Sequence, residues 1–155
     1  MILTAFKAQL ARLAADPRDP FAAKVRKRVG AREAVQYVRQ LRSLILATPE
    51  MAGQLGVWSE TEDIPPKWRR LSTRALTLLY RPIVQVDPGE GLFVYFGDAY
   101  LVGTVYELIV QQVAEATPRL LRETEVAPQQ IPQWLESARV VFPDVTARIG
   151  QTFLA

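Results

Sequence analysis

The sequence predicts an all-α protein: a single-domain compact helical bundle with a central apolar helix and short C-terminal helices. Three observations point there. Apolar residues recur at three- and four-residue steps along most of the chain. Proline stands repeatedly where such a stripe starts or stops. Neither long strand alternation nor a repeat of roughly 20–50 residues is visible. With 155 residues, 49% of them hydrophobic and 23% charged, the chain has the size and composition of one domain able to bury a core.

Taken in order, Leu3, Phe6, Leu10 and Leu13 draw the first stripe, which Asp16-Pro17 ends. Asp19 can cap the next helix, and Pro20 suits its first position. Phe21, Val25 and Val29 then share one face, and Gly30 reads either as an interior glycine or as a break. Ala34, Val35, Val38, Leu41 and Ile45 form the following apolar face, with Thr48-Pro49 expected to stop it. The segment EMAGQLGVWSETEDIPP is weakly periodic and reads as a short helical turn and then a surface loop. A new helix starts at Pro65-Pro66, with Trp68, Leu71, Ala75 and Leu78 along one side, and ends at Pro82. IVQVDPGEG is a turn-rich connector. An apolar run follows to about Val113, then three short helices introduced by Pro118, Pro132 and Pro143.

There is no cysteine and no histidine. Disulfides, thiolate nucleophiles, zinc-thiolate sites and the Ser-His-Asp constellation are therefore excluded, together with the commonest general base. Charge is asymmetric along the chain. Through Arg81 there are 15 Lys and Arg against 7 Asp and Glu; from Pro82 onward there are 4 against 9. Either the halves attract each other, or the basic half meets an anionic partner such as nucleic acid, acidic lipid headgroups or another protein. MILTAFKAQLARLAADP has no basic leader ahead of an apolar core, so a cytoplasmic location is expected, with peripheral membrane contact left open.

The 19 residues from Leu92 to Val110 approach the roughly 20 needed to span a bilayer. Asp98 lies near their middle, and a central acidic group costs about 2.5–3.5 kcal/mol on insertion scales. The expectation is a buried bundle helix and no membrane span.

The stretch RRLSTRALTLLYRPIVQVDPGEGLFVYFGDAYLVGTVYELI resembles the YkvA-like family, small helical domains of unknown function common in bacteria. Tyr80, Pro82 and Ile83 match the family's aromatic and Pro-Ile, and Asp98, Ala99 and Tyr100 match the start of its second apolar helix. The chain departs from the pattern at Val84 and at Gly97, where the family carries acidic residues. The resemblance implies a core over residues 31–115, with peripheral helices in 1–30 and 117–155, inside one domain of residues 1–155. It implies no activity.

Three candidate features remain. Lys24, Arg26, Lys27 and Arg28 form the densest basic patch, either an anion-binding surface or a solvated face. PPKWRR, with Lys67, Arg69 and Arg70 around Trp68, is either an interfacial anchor or a helix whose tryptophan packs into the core. Asp87, Glu90 and Asp98 are carboxylates suited to a hard divalent cation, although their spacing matches no calcium loop. Asp98 reads otherwise as a helix N-cap after a bend at Gly97. The expected function is a non-enzymatic interaction or regulatory module without a cofactor. Its partner is another protein or a second copy, and nucleic acid or an anionic membrane surface is the alternative.

Overall fold

The computed structural model describes residues 2–79, 90–116 and 128–154, and among them it contains seven α-helices and no strand. The first, α1 (Ile2–Ala15), buries Phe6 and Leu10, with Leu3 and Leu13 packed beside them, and stops ahead of Asp16-Pro17. The second, α2 (Phe21–Val29), buries Phe21 and Val25. Gly30 is a break: its φ of 87° and ψ of 161° lie in a region that side chains strongly disfavour, and α3 (Ala31–Ser59) starts immediately after it.

Helix α3 corrects the expectation at Thr48-Pro49. It runs straight through Pro49, and EMAGQLGVWS is its second half, not a turn and a loop. Proline removes the bond to the Ile45 carbonyl and costs roughly 3 kcal/mol inside a helix. Beyond it, however, Met51, Ala52, Leu55 and Trp58 continue the buried stripe of Leu41, Leu44, Ile45 and Thr48. Burying one large apolar side chain is worth about 1.5–3 kcal/mol, so three of them outweigh the proline. The Thr48 hydroxyl donates to the Leu44 carbonyl (3.2 Å), and Lys7 of α1 pairs with Glu50 (2.9 Å) just past the defect. A second correction concerns Val35, which is 66% exposed. It sits about 100° around the helix from buried Ala34, off the apolar face.

A short loop leads to α4 (Pro66–Leu79), which buries Ser72, Ala75 and Leu76 and leaves Trp68 and Leu71 half-buried. Pro82, the rest of the connector through Gly89, and TPRLLRETE lie outside the described residues. A 3₁₀ turn, Gly91–Tyr95, passes directly into α5 (Phe96–Ala116). Then come α6 (Ile131–Val141), with Pro132 in its first turn, and α7 (Pro143–Ile149), opened by Pro143. A wide π-type turn, Gly150–Leu154, ends the described chain.

Helix α3 touches α1, α2, α4, α5 and α6, and shares the centre of the bundle with α5. The apolar run is packed accordingly: Phe96, Ala99, Val102, Val105 and Ile109 have no measurable exposure. Gly103 lets three helices meet, since a Cβ there would lie 3.0 Å from Leu44 Cδ1 and 3.2 Å from Leu135 Cδ2. The stretch Gly91–Gln112 is long and apolar enough to cross a membrane, yet 61% of its apolar window is buried against the other helices.

The bend before α5 is at Gly91, not Gly97. Gly91 has a φ of 55°, and a Cβ on it would fall 2.3 Å from Asp19 Oδ2 and 2.6 Å from Pro20 Cδ. Gly97 lies within the helix, where a Cβ would make an ordinary 3.5 Å contact with Ile149. The close approach at Gly91 serves one carboxylate. Asp19 Oδ1 accepts from the Phe21 N–H (2.9 Å), capping α2, and Asp19 Oδ2 accepts from the Leu92 N–H (2.9 Å), capping the 3₁₀ turn. Gly91→Ala is therefore expected to destabilise the protein by about 3 kcal/mol, through backbone strain and loss of this joint. Asp19→Ala should cost about 2 kcal/mol. Urea denaturation of each variant checks both values, and near-additive losses in the double variant would show that the joint is not shared.

Candidate anion-binding site

Of the four basic residues on α2, two are occupied within the protein. Lys24 pairs with Glu90 (3.6 Å) and lies 5.1 Å from the Phe93 ring centroid. Arg28 grips Asp144 at the start of α7 with both terminal nitrogens, Nη1 to Oδ1 at 2.9 Å and Nη2 to Oδ2 at 3.3 Å, above the Phe142 ring. Arg26 and Lys27 are exposed. Both ion pairs join the basic first half of the chain to the acidic second half, so much of the patch serves internal contact.

Of the three candidate carboxylates, Glu90 and Asp98 lie within the described residues. Asp87 lies outside them, Glu90 is engaged by Lys24, and no group of three or more Asp or Glu suited to a metal occurs among the described residues. Asp98 is in the first turn of α5, not at its cap, because the helix already begins at Phe96, directly from the 3₁₀ turn. Of the residues on which the resemblance rests, Tyr80, Pro82 and Ile83 are outside the described residues. Ala99 and Tyr100 are buried. The Tyr100 hydroxyl accepts from Arg139 Nε (3.1 Å) and so ties α5 to α6. Partial burial works to lower the Arg139 pKa, but the bond to Tyr100 and the neighbouring Glu136 outweigh it and hold it above its ordinary value.

Among the described residues, α4 also carries basic surface without a carboxylate partner. In KWRRLSTR, Lys67, Arg70 and Arg74 are spaced three and four residues apart, which lines them up on one helix face, and Arg69 stands beside them. Helix α4 contains no acidic residue. Two adjoining clefts open along it. One, of about 460 Å³, lies between the end of α3 and α4, where Ser59 and Pro66 face Arg69, Arg70, Thr73 and Arg74. The other, of about 420 Å³, is lined by Lys67, Trp68, Arg70, Leu71, Arg74, Leu108 and Phe153. Among the described residues no carboxylate lines either cleft.

These cations differ in freedom. Arg74 donates to the Thr152 carbonyl (3.3 Å) and lies 5.8 Å from the Phe153 ring centroid, so the C-terminal turn holds it from behind. Lys67 sits 4.9 Å from the ring centroid of Trp68, which is itself packed against the core. Arg70 is exposed. Arg69 is half-buried, and its Nε is shut away from solvent without a hydrogen-bond partner among the described residues. A buried donor left in that state costs about 1–3 kcal/mol. Trp58 Nε1 at the end of α3 is in the same condition.

Sequence reasoning singles out Lys67, Arg69 and Arg70 and misses Arg74 and the part played by Ser59. The 67–70–74 spacing on an acid-free helix is the available signal for Arg74. Nothing local signals Ser59, because the helix to which it belongs is expected to end at Pro49. The apolar run, for its part, offers little surface to a second copy, since Val94 is its one exposed large hydrophobe among the described residues. Comparison with protein-family models, curated proteins and solved structures gives no match.

Asp144 supplies a pH signature. The hydrogen bond from Arg28 holds its pKa below the ordinary 3.8; slight desolvation opposes this, and the backbone N–H groups of Asp144 and Val145 assist. A carboxylate with a depressed folded pKa adds stability above its unfolded value and loses it as pH falls through the folded one. The gap in thermal midpoint between the parent protein and Asp144→Asn should thus be present at neutral pH and close below pH 3.8. Thermal scans across that range check it. Both side chains are exposed, so the gap is small.

Proposed function

We propose that this protein is a non-enzymatic helical interaction module that docks on an anionic partner through α4. The observation supporting this is the convergence of Lys67, Arg69, Arg70 and Arg74 on two adjoining clefts that no carboxylate lines among the described residues. On α2, by contrast, Lys24 and Arg28 are drawn into ion pairs with the second half. The four cations of α4 meet no such acid among the described residues, and a surface cation without one is available to a partner. A chain lacking histidine and cysteine also lacks the side chains that most often carry acid–base and nucleophilic catalysis. Trp68 and Phe153 place aromatic surface beside the charge, a combination favoured in binding interfaces.

Binding to heparin, a soluble polyanion, tests the reading over a salt series. The variant Lys67→Gln/Arg70→Gln/Arg74→Gln should weaken binding by about tenfold or more and flatten its salt dependence. The variant Arg26→Gln/Lys27→Gln on α2 should stay within about twofold of the parent. Equal losses in the two variants, or no heparin binding by the parent, would overturn the proposal.

A further inference from the structure

We infer that the cleft between the end of α3 and α4 is a phosphomonoester-binding site, with Arg69, Arg70 and Arg74 as its donors. The inference rests on the proposal that α4 binds an anionic partner, and it names the chemistry of that partner. All three arginines line an open cleft of about 460 Å³ whose described walls hold no carboxylate. A guanidinium carries its charge on a planar fork of donors that matches phosphate geometry.

Arg70 follows in sequence, and Arg74 lies one turn further along, so three guanidiniums line the cleft over about 7.5 Å of helix axis. Arg74 is already braced by the Thr152 carbonyl and the Phe153 ring, and so is partly ordered before any ligand arrives. The two hydroxyls in the cleft have their protons engaged. Ser59 donates to the Gly56 carbonyl (2.7 Å) and Thr73 to the Arg69 carbonyl (3.1 Å). The side-chain donors left for an anion are therefore those of arginine. Three arginines suit a group of nearly two negative charges better than the single charge of a phosphodiester or carboxylate.

The size of the cleft leaves room for more than the phosphate. It is in the range of small-molecule pockets and adjoins the second one, where Trp68, Leu71, Leu108 and Phe153 supply apolar wall next to Lys67. A phosphate held by the arginines can thus carry an apolar or glycerol-like body along α4. Such a ligand has two sources, the headgroup of a phosphomonoester lipid at a membrane surface or a soluble phosphate ester.

The full chain is tested against phosphatidylcholine vesicles containing phosphatidic acid, against phosphatidylserine vesicles of equal surface charge, and against free glycerol phosphate. Binding to phosphatidic acid vesicles about tenfold tighter than to phosphatidylserine vesicles, displaced by free glycerol phosphate, supports the site with lipid as its source. Binding of glycerol phosphate in solution without vesicle binding supports it with a soluble source. Arg69→Lys keeps the charge and loses the fork, so it should lower phosphomonoester binding by about tenfold, a clearly larger factor than its effect on heparin binding. If Arg69→Lys fails to fold, the pair Arg70→Lys/Arg74→Lys gives the same discrimination. The inference is overturned by equal binding to both vesicles with no effect of glycerol phosphate, or by lysine variants that bind phosphomonoester like the parent. α4-dependent heparin binding in that case would leave the proposed function standing; its loss as well would remove both.

Discussion

Helix α3 holds its neighbours together because one face of it stays apolar from Ala34 to Trp58, about seven turns, across a proline that would ordinarily end it. Each of α1, α2, α4, α5 and α6 rests against it, so the position of each is fixed relative to one rod. The longest buried partner is α5, and Trp58 meets Tyr106 near the far end, ring centroids 5.0 Å apart. Were α3 to stop at Pro49, Leu55 and Trp58 would leave the core and α4 would lose its support. The clefts along α4 would go with it, since Ser59 closes one of them from the last turn of α3.

Around this rod the chain is fastened by contacts that set geometry more than they add stability. Asp19 uses its two oxygens on two separate helical starts, and Gly91 makes room for it. Arg28 with Asp144 and Lys24 with Glu90 join the halves of opposite charge, and Arg42 reaches the Ala14 carbonyl to secure α1. Exposed ion pairs add little to stability, so packing carries the fold. The consequence for function is one of subtraction. Once Lys24 and Arg28 are occupied, α2 keeps two of its four cations while α4 keeps four that no described carboxylate neutralises, and the proposed binding face moves from the densest charge run to a sparser one.

The legibility of the sequence follows the range of the forces involved. Stripes at Leu3–Leu13, Phe21–Val29 and Leu41–Ile45 give α1, α2 and the first half of α3 directly, because amphipathic periodicity is local. The prolines at 132 and 143 mark α6 and α7 for the same reason. Pro49 misleads because a local rule meets a larger burial term from residues further along. Local pattern assigns to Gly97 and Asp98 the role that Gly91 and Asp19 perform, and no short-range signal shows that residues 19 and 91 touch. Lys67, Arg69 and Arg70 are visible as a cluster, but that no described carboxylate lines the clefts beside them is not.

By itself, then, the sequence determined the helical class, most helix boundaries, the two opposed halves of charge, and the absence of any chemistry that needs histidine or cysteine. Those follow from composition and from spacing along a single helix. The tertiary structure decided whether a proline could be carried inside a helix, which glycine turns the chain, and which cations are consumed by partners. These depend on side chains far apart in sequence, whose burial and pairing energies compare only once the helices are packed.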